Sequence, residues 1–205
     1  AGRIISPPQG LLEREGICED LSSSDDELRR LAVARLLLLD VEEALPRLLQ
    51  CLGDPSWRVR KAAVERLVAC SAGAQVDDGL IDALSDGENP GRRNSAYEAL
   101  VAVGTRPIPR LIAALASDDV DVRKLVVDTL AGIADPAACD AMITTLEDPD
   151  PNVRAAAADA LGVIGGTKAG SALQRVALDD GQDALTRLSA LRALALLEHA
   201  VPHAN

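Results

Sequence analysis

Met142–Leu161 reads MITTLEDPDPNVRAAAADAL, and its order of parts returns along the whole chain. An apolar face opens it, an acid- and proline-rich turn interrupts it, and a second apolar face carrying Arg154, Ala157 and Leu161 closes it. The same order appears at Leu48–Leu67 (LLQCLGDPSWRVRKAAVERL) and at Leu111–Leu130 (LIAALASDDVDVRKLVVDTL). It appears at Leu80–Leu100 with one extra residue in the turn, more loosely at Leu173–Leu194, and at the N-terminus only over Leu28–Leu36. In this frame an arginine column runs through Arg29, Arg60, Arg93, Arg123, Arg154 and Arg187. A leucine follows seven positions later at Leu36, Leu67, Leu100, Leu130, Leu161 and Leu194, with Ala32, Ala63, Ala96, Val126, Ala157 and Ala190 between. Six copies spaced by 30 to 33 residues fill nearly the whole chain, the signature of a repeat architecture.

Each copy reads as two helices. Leu48, Leu49 and Leu52, or Leu111, Ile112 and Leu115, fall on one face at helical spacing, and so do Val59, Ala63, Val64 and Leu67 after the turn. The turns, such as Gly53–Ser56 and Asp148–Pro151, carry residues that cap or start helices. Gly104, Gly165 and Gly166 stand where second helices should end. One pair cannot bury its apolar face alone, so neighbours must stack. The expected fold is an all-α superhelix, a solenoid of about six helix pairs over residues 11–198, with a flexible segment at 1–10 and a tail at 199–205.

Composition agrees and excludes other classes. Leu and Ala make up roughly a third of the 205 residues, and the aromatic residues are Trp57 and Tyr97 alone, with no Phe. A β-sandwich or barrel needs aromatic and β-branched strands. With 32 acidic and 21 basic side chains, the net charge of −11 argues against nucleic acid or an anionic membrane as partner. No apolar run approaches the roughly 18 residues of a membrane span. Ala1–Gly10, polar and with two prolines, does not read as a signal peptide. Cys18, Cys51, Cys70 and Cys139 lie far apart in apolar helical stretches, as buried reduced thiols of a cytoplasmic protein would.

With turn, arginine and leucine in register, the copies resemble HEAT repeats, and among them the short bacterial, phycobilin-lyase-type HEAT-like repeats. Ala44–Leu49 (ALPRLL) and Pro107–Ile112 (PIPRLI) carry the likeness on first helices. The pattern Asp-Pro-x-x-x-Val-Arg carries it at Asp54–Arg60 and Asp148–Arg154. The sequence departs from the pattern in the longer third turn at Gly87–Gly91, in the sixth copy, and at Gly16 within the expected first helix. The resemblance implies a binding surface in preference to a catalytic one, with the second helices lining a concave side.

Three sets of residues follow as candidates. The arginine column is read as structural, each guanidinium bridging to turn carboxylates such as Asp54, Asp118 and Asp148 and tying copies together. Glu65, Glu98, Asp128 and Asp159 occupy one position of successive second helices, a series that Arg192 breaks, with Lys61 and Lys124 one turn before Glu65 and Asp128. On stacked helices this is an acidic ridge about 30 Å long, at about 10 Å per pair, for a basic or amphipathic partner segment. Trp57, in a turn, is the candidate anchor for that partner. Tyr97 takes the place of Val64 and Val127 and is expected in the core.

Enzyme readings lack parts. HEAT-repeat relatives include a di-iron hydroxylase with repeated His-Glu pairs, but this chain has no such dipeptide, and its histidines are His199 and His203. Their i, i+4 spacing would suit zinc only on a continuous helix, which Pro202 opposes. HEAT-like DNA glycosylases need a basic groove and aromatic base contacts. Gly162–Gly166 ends a helix and is no phosphate loop. With no histidine inside the repeats, no nucleophile has a base. The expectation is a non-enzymatic protein-interaction module with no cofactor and no metal. The alternatives are a subunit of a phycobilin-lyase-type enzyme and a purely structural piece of a larger solenoid.

Overall fold

A computed structural model of the protein describes residues 9–70 and 73–200, with side chains over 14–70 and 73–199. The expectations for residues 1–8, Pro202 and His203 lie outside the described residues.

The six copies are six helix pairs. They are α1 (Gln9–Leu21) with α2 (Asp26–Arg35), α3 (Val41–Cys51) with α4 (Trp57–Ala69), and α5 (Gly73–Leu84) with α6 (Pro90–Val103). Then follow α7 (Ile108–Ala114) with α8 (Val120–Ile133), α9 (Cys139–Thr145) with α10 (Pro151–Ile164), and α11 (Thr167–Leu178) with α12 (Ala184–Ala200). The fold class is the all-α superhelix of paired helices, with no strand among the described residues. Second helices start where turn acids accept the first free amide protons: Asp25 from Glu27, Asp119 from Asp121 and Asp150 from Asn152. Each such cap contributes about 1 kcal/mol. Gly104 and Gly165 end α6 and α10 with φ of +81° and +78°, as the sequence implied.

Close approach between pairs comes from the small-residue column. Ala32, Ala63, Ala96, Val126, Ala157 and Ala190 are all wholly buried, and so are five of the six column leucines. Leu194 is half-buried. The chain forms two compact units, the first ending at Ala99 and the second beginning at Leu100, a boundary within α6. In the first unit α2 packs on α4, α1 on α2 and α3 on α4. In the second, α8, α10 and α12 pack in sequence order, with α7, α9 and α11 behind them. Gly162 of α10 faces Ala193 of α12 so closely that a Cβ there would lie 2.7 Å from that of Ala193.

The expected first helix of the first copy runs past Gly16, which faces only the end of the Arg35 side chain. Three expectations need correction. That helix begins at Gln9, inside the stretch expected to be flexible. His199 lies on α12 and not in a tail, since Ala195–Leu197 are strong helix formers that carry the helix to Ala200. Tyr97 is 38% exposed, where Val64 and Val127 are buried; a phenol is larger than a valine and keeps its hydroxyl in water.

Candidate functional site

The arginine column builds a ladder. The Arg123 Nε donates to Asp148 Oδ2 at 2.8 Å and its Nη2 to Oδ1 at 3.0 Å, a planar fork on a carboxylate 25 residues ahead. Its Nη1 turns back to the carbonyl of Ser117 at 3.0 Å. Arg29 repeats this with Asp54, at 2.8 and 3.0 Å, and with the carbonyl of Ser23 at 2.8 Å. The carbonyl of Asp148 in turn accepts from Arg154 at 2.8 Å, and Arg154 reaches Asp183 at 2.5 Å. Each arginine thus holds its own turn by the backbone and the next turn by a carboxylate. Burial would raise Asp54 and Asp148, but the guanidinium hydrogen bonds outweigh it and both sit below the usual carboxylate range. Arg29, Arg123 and Arg154 are thus spent on turns.

Three rungs differ. Asp118 takes part through its carbonyl, at 3.3 Å from Arg123, because the forked acceptors Asp54 and Asp148 lie six residues before an arginine and Asp118 only five. Arg60 holds the carbonyl of Asp54 at 2.8 Å, while Asp86, displaced by the extra turn residue, pairs with Arg92 at 3.2 Å. Asn89 spans that turn instead, donating to the carbonyl of Gly53 at 3.0 Å. Arg187 pairs with the exposed Asp180 of its own turn at 3.1 Å, and Arg93 is half-buried on α6. Sequence reasoning missed Asp183, whose signal was the helix-capping position four residues before Arg187.

The candidate binding residues lie on second helices. In the first unit Trp57, Lys61 and Glu65 follow one another at one-turn spacing along α4, all exposed. Trp57 is the first residue of the helix, 61% exposed, with the Arg58 guanidinium 5.9 Å from its ring centre. Glu98 is exposed on α6. In the second unit α8, α10 and α12 form a groove of about 330 Å³ that gathers Lys124, Asp128, Asp159 and Arg192 over a floor including Ala155, Ala156 and Ala160. Lys124 Nζ pairs with Asp128 Oδ2 at 2.8 Å, and Ser189 donates to Asp159 Oδ2 at 3.3 Å. Its lining holds two carboxylates, Asp128 and Asp159, and two cations, Lys124 and Arg192. Val163 and Leu185 add exposed apolar surface to its walls.

The four cysteines are unpaired and half-buried, not fully buried as expected. Burial, helped by the charge of Asp54, pushes the Cys51 thiol up to about 11, so it stays protonated at neutral pH. Among the described residues no cluster of His, Cys, Asp and Glu is suited to hold a metal ion. No helix among them is long and apolar enough to cross a membrane.

Helix pairs locked turn to turn, with polar and apolar residues displayed on second helices, define the class of helical-repeat proteins. The chain belongs to the HEAT-repeat family, whose model matches residues 15–101 and 108–195. No curated protein sequence matches it. Among solved structures it is similar to a chain from the structure of microtubule plus end tracking by XMAP215, CLIP-170 and EB1, with 15% identity, a TM-score of 0.60 and 96% of each chain covered. It is also similar to human deoxyhypusine hydroxylase in complex with glycerol, with 22% identity, a TM-score of 0.51, and 90% of this chain and 84% of that one covered. Phycocyanin lyase from Nostoc sp. PCC7120, a complex of CpcE and CpcF, is a more distant likeness at 22% identity and a TM-score of 0.39, covering 96% and 82%. At these identities the likenesses show the fold alone.

Proposed function

We propose that the protein is a non-enzymatic protein-interaction scaffold that holds a partner segment on the exposed faces of its second helices. The observation that carries this reading is the groove over α8, α10 and α12, where paired charges frame an apolar floor. Such a surface favours an amphipathic partner helix: its apolar side covers the alanine floor, and its charges exchange with Lys124, Asp128, Asp159 and Arg192. On the first unit, Glu65 and Glu98 favour a basic stretch and Trp57 supplies a large aromatic anchor. The ladder supports the role by holding turns rigid, which lowers the ordering cost of binding.

The test is affinity capture from the native host with the wild type and with a Glu65/Glu98/Asp128/Asp159→Lys variant, at low and high salt. One protein retained by the wild type at low salt, and reduced at least tenfold with the variant, is the expected result. Equal retention by both baits would show that these carboxylates play no part. A coloured ligand co-purifying in place of a protein would favour the lyase-subunit reading.

A further inference from the structure

At the column position held by Val33, Val64, Val127 and Ala158 the side chain is buried in four of the five earlier pairs, and in the third it is Tyr97, 38% exposed. On α12 the same position is Leu191, and it is 54% exposed. Leu188 and Ala195 extend this face, in register with Ala155 and Gly162, which are buried on α10, the helix that α12 covers. On α12 nothing covers the equivalent residues among those described. On α2 the opposite face carries exposed leucines. Leu28 is exposed where Val59, Val122 and Val153 are buried, and Leu31 is 45% exposed where Ser189 is buried. Thr186 and Ser189 are the residues at these two register positions on α12, both buried, and Ala193, whose position on α2 is held by Arg35, touches Gly162 of α10.

The charges match as well. Arg29, Arg123 and Arg154 each reach a carboxylate of the following turn, whereas Arg187 pairs, among the described residues, with the exposed Asp180 of its own turn. Asp183, the acceptor for Arg154, stands four residues before its own column arginine and caps its helix. Asp25 stands four residues before Arg29, is exposed, and caps α2 by accepting from the Glu27 amide at 2.9 Å.

We propose that the α12 face of one molecule docks on the α2 face of a second copy, with Leu188 and Leu191 against Leu28 and Leu31 and Arg187 on Asp25. The contact continues the register of α10 on α12 from one chain into the next. It joins two different faces, so it is a head-to-tail contact that builds a closed ring or an open chain. It leaves the groove of the second unit and the α4 stripe free, so it is separate from the partner binding proposed above.

The experiment is sedimentation velocity on the full chain from about 1 μM to about 1 mM, at about 0.15 M salt to screen the net charge of −11. The wild type is expected to self-associate as concentration rises. Leu191→Glu and Leu31→Glu, both at exposed sites, should each remain monomeric with unchanged helical circular dichroism. Mixed in equal amounts they should form a dimer and nothing larger, because each supplies the face that the other lacks. A wild type that is monomeric throughout overturns the proposal, as does self-association of Leu31→Glu alone or a mixture that stays monomeric.

Discussion

Replacing Arg123 by methionine is expected to cost about 3 kcal/mol of stability, measured by urea unfolding at pH 7. The side chains of Arg123 and Asp148 are only 11% and 8% exposed, and the fork between them is bidentate. Removing the guanidinium leaves a carboxylate out of water without its counter-charge, a heavier loss than the pair's own net value. Adding Asp148→Asn to the variant should therefore recover a large part of the loss, as a double-mutant cycle would record. Acid supplies an independent check. In the wild type Asp148 sits below its ordinary value, so its contribution is complete above about pH 4 and fades as pH falls through the folded-state value. In the variant, burial without the arginine raises the same carboxyl, and protonation then relieves the folded state. The difference between the two proteins should thus be largest at neutral pH and shrink on acidification. A gap that is constant with pH would mean that the loss comes from packing of the arginine stem.

Gly162→Val is expected to destabilise the second unit by about 3 kcal/mol. A Cβ at this position meets Ala193 Cβ at 2.7 Å and its Cα at 2.9 Å, so α12 must move bodily away from α10. Even Gly162→Ala should be destabilising, although the same exchange inside an exposed helix stabilises by up to about 1 kcal/mol. Gly87→Ala is the control, since nothing lies within 4 Å of a Cβ there. Urea unfolding of the three variants separates crowding from helix propensity. A neutral Gly162→Val would show that α10 and α12 do not approach as described.

The architecture was legible because repetition averages out local noise. A single Arg154 says little, but six arginines with a leucine always seven residues on locate the core columns, and the small column between them is buried throughout. The ladder was half legible. The pairing of Arg123 with Asp148 follows from a spacing that Arg29 and Asp54 share. The shift of Arg154 to Asp183 depends on a turn whose shape the letters do not encode. Tyr97 misled because a column position predicts the direction of a side chain and not whether a larger one fits beneath it. The groove was the least legible feature. Lys124, Asp128 and Asp159 were visible as a series, but the reach of Ser189 to the last carboxylate and the place of Arg192 in the groove lining needed helices in place.

The most direct test is site-specific photo-cross-linking in cells of the native host. One cross-linker replaces Ala156 on the groove floor, and another replaces Gln174, exposed on α11. The expected result is one protein captured from position 156 and not from 174, and lost when Asp128 and Asp159 are both changed to lysine. Capture of the same protein equally from both positions, or from 174 alone, would contradict binding on the second helices.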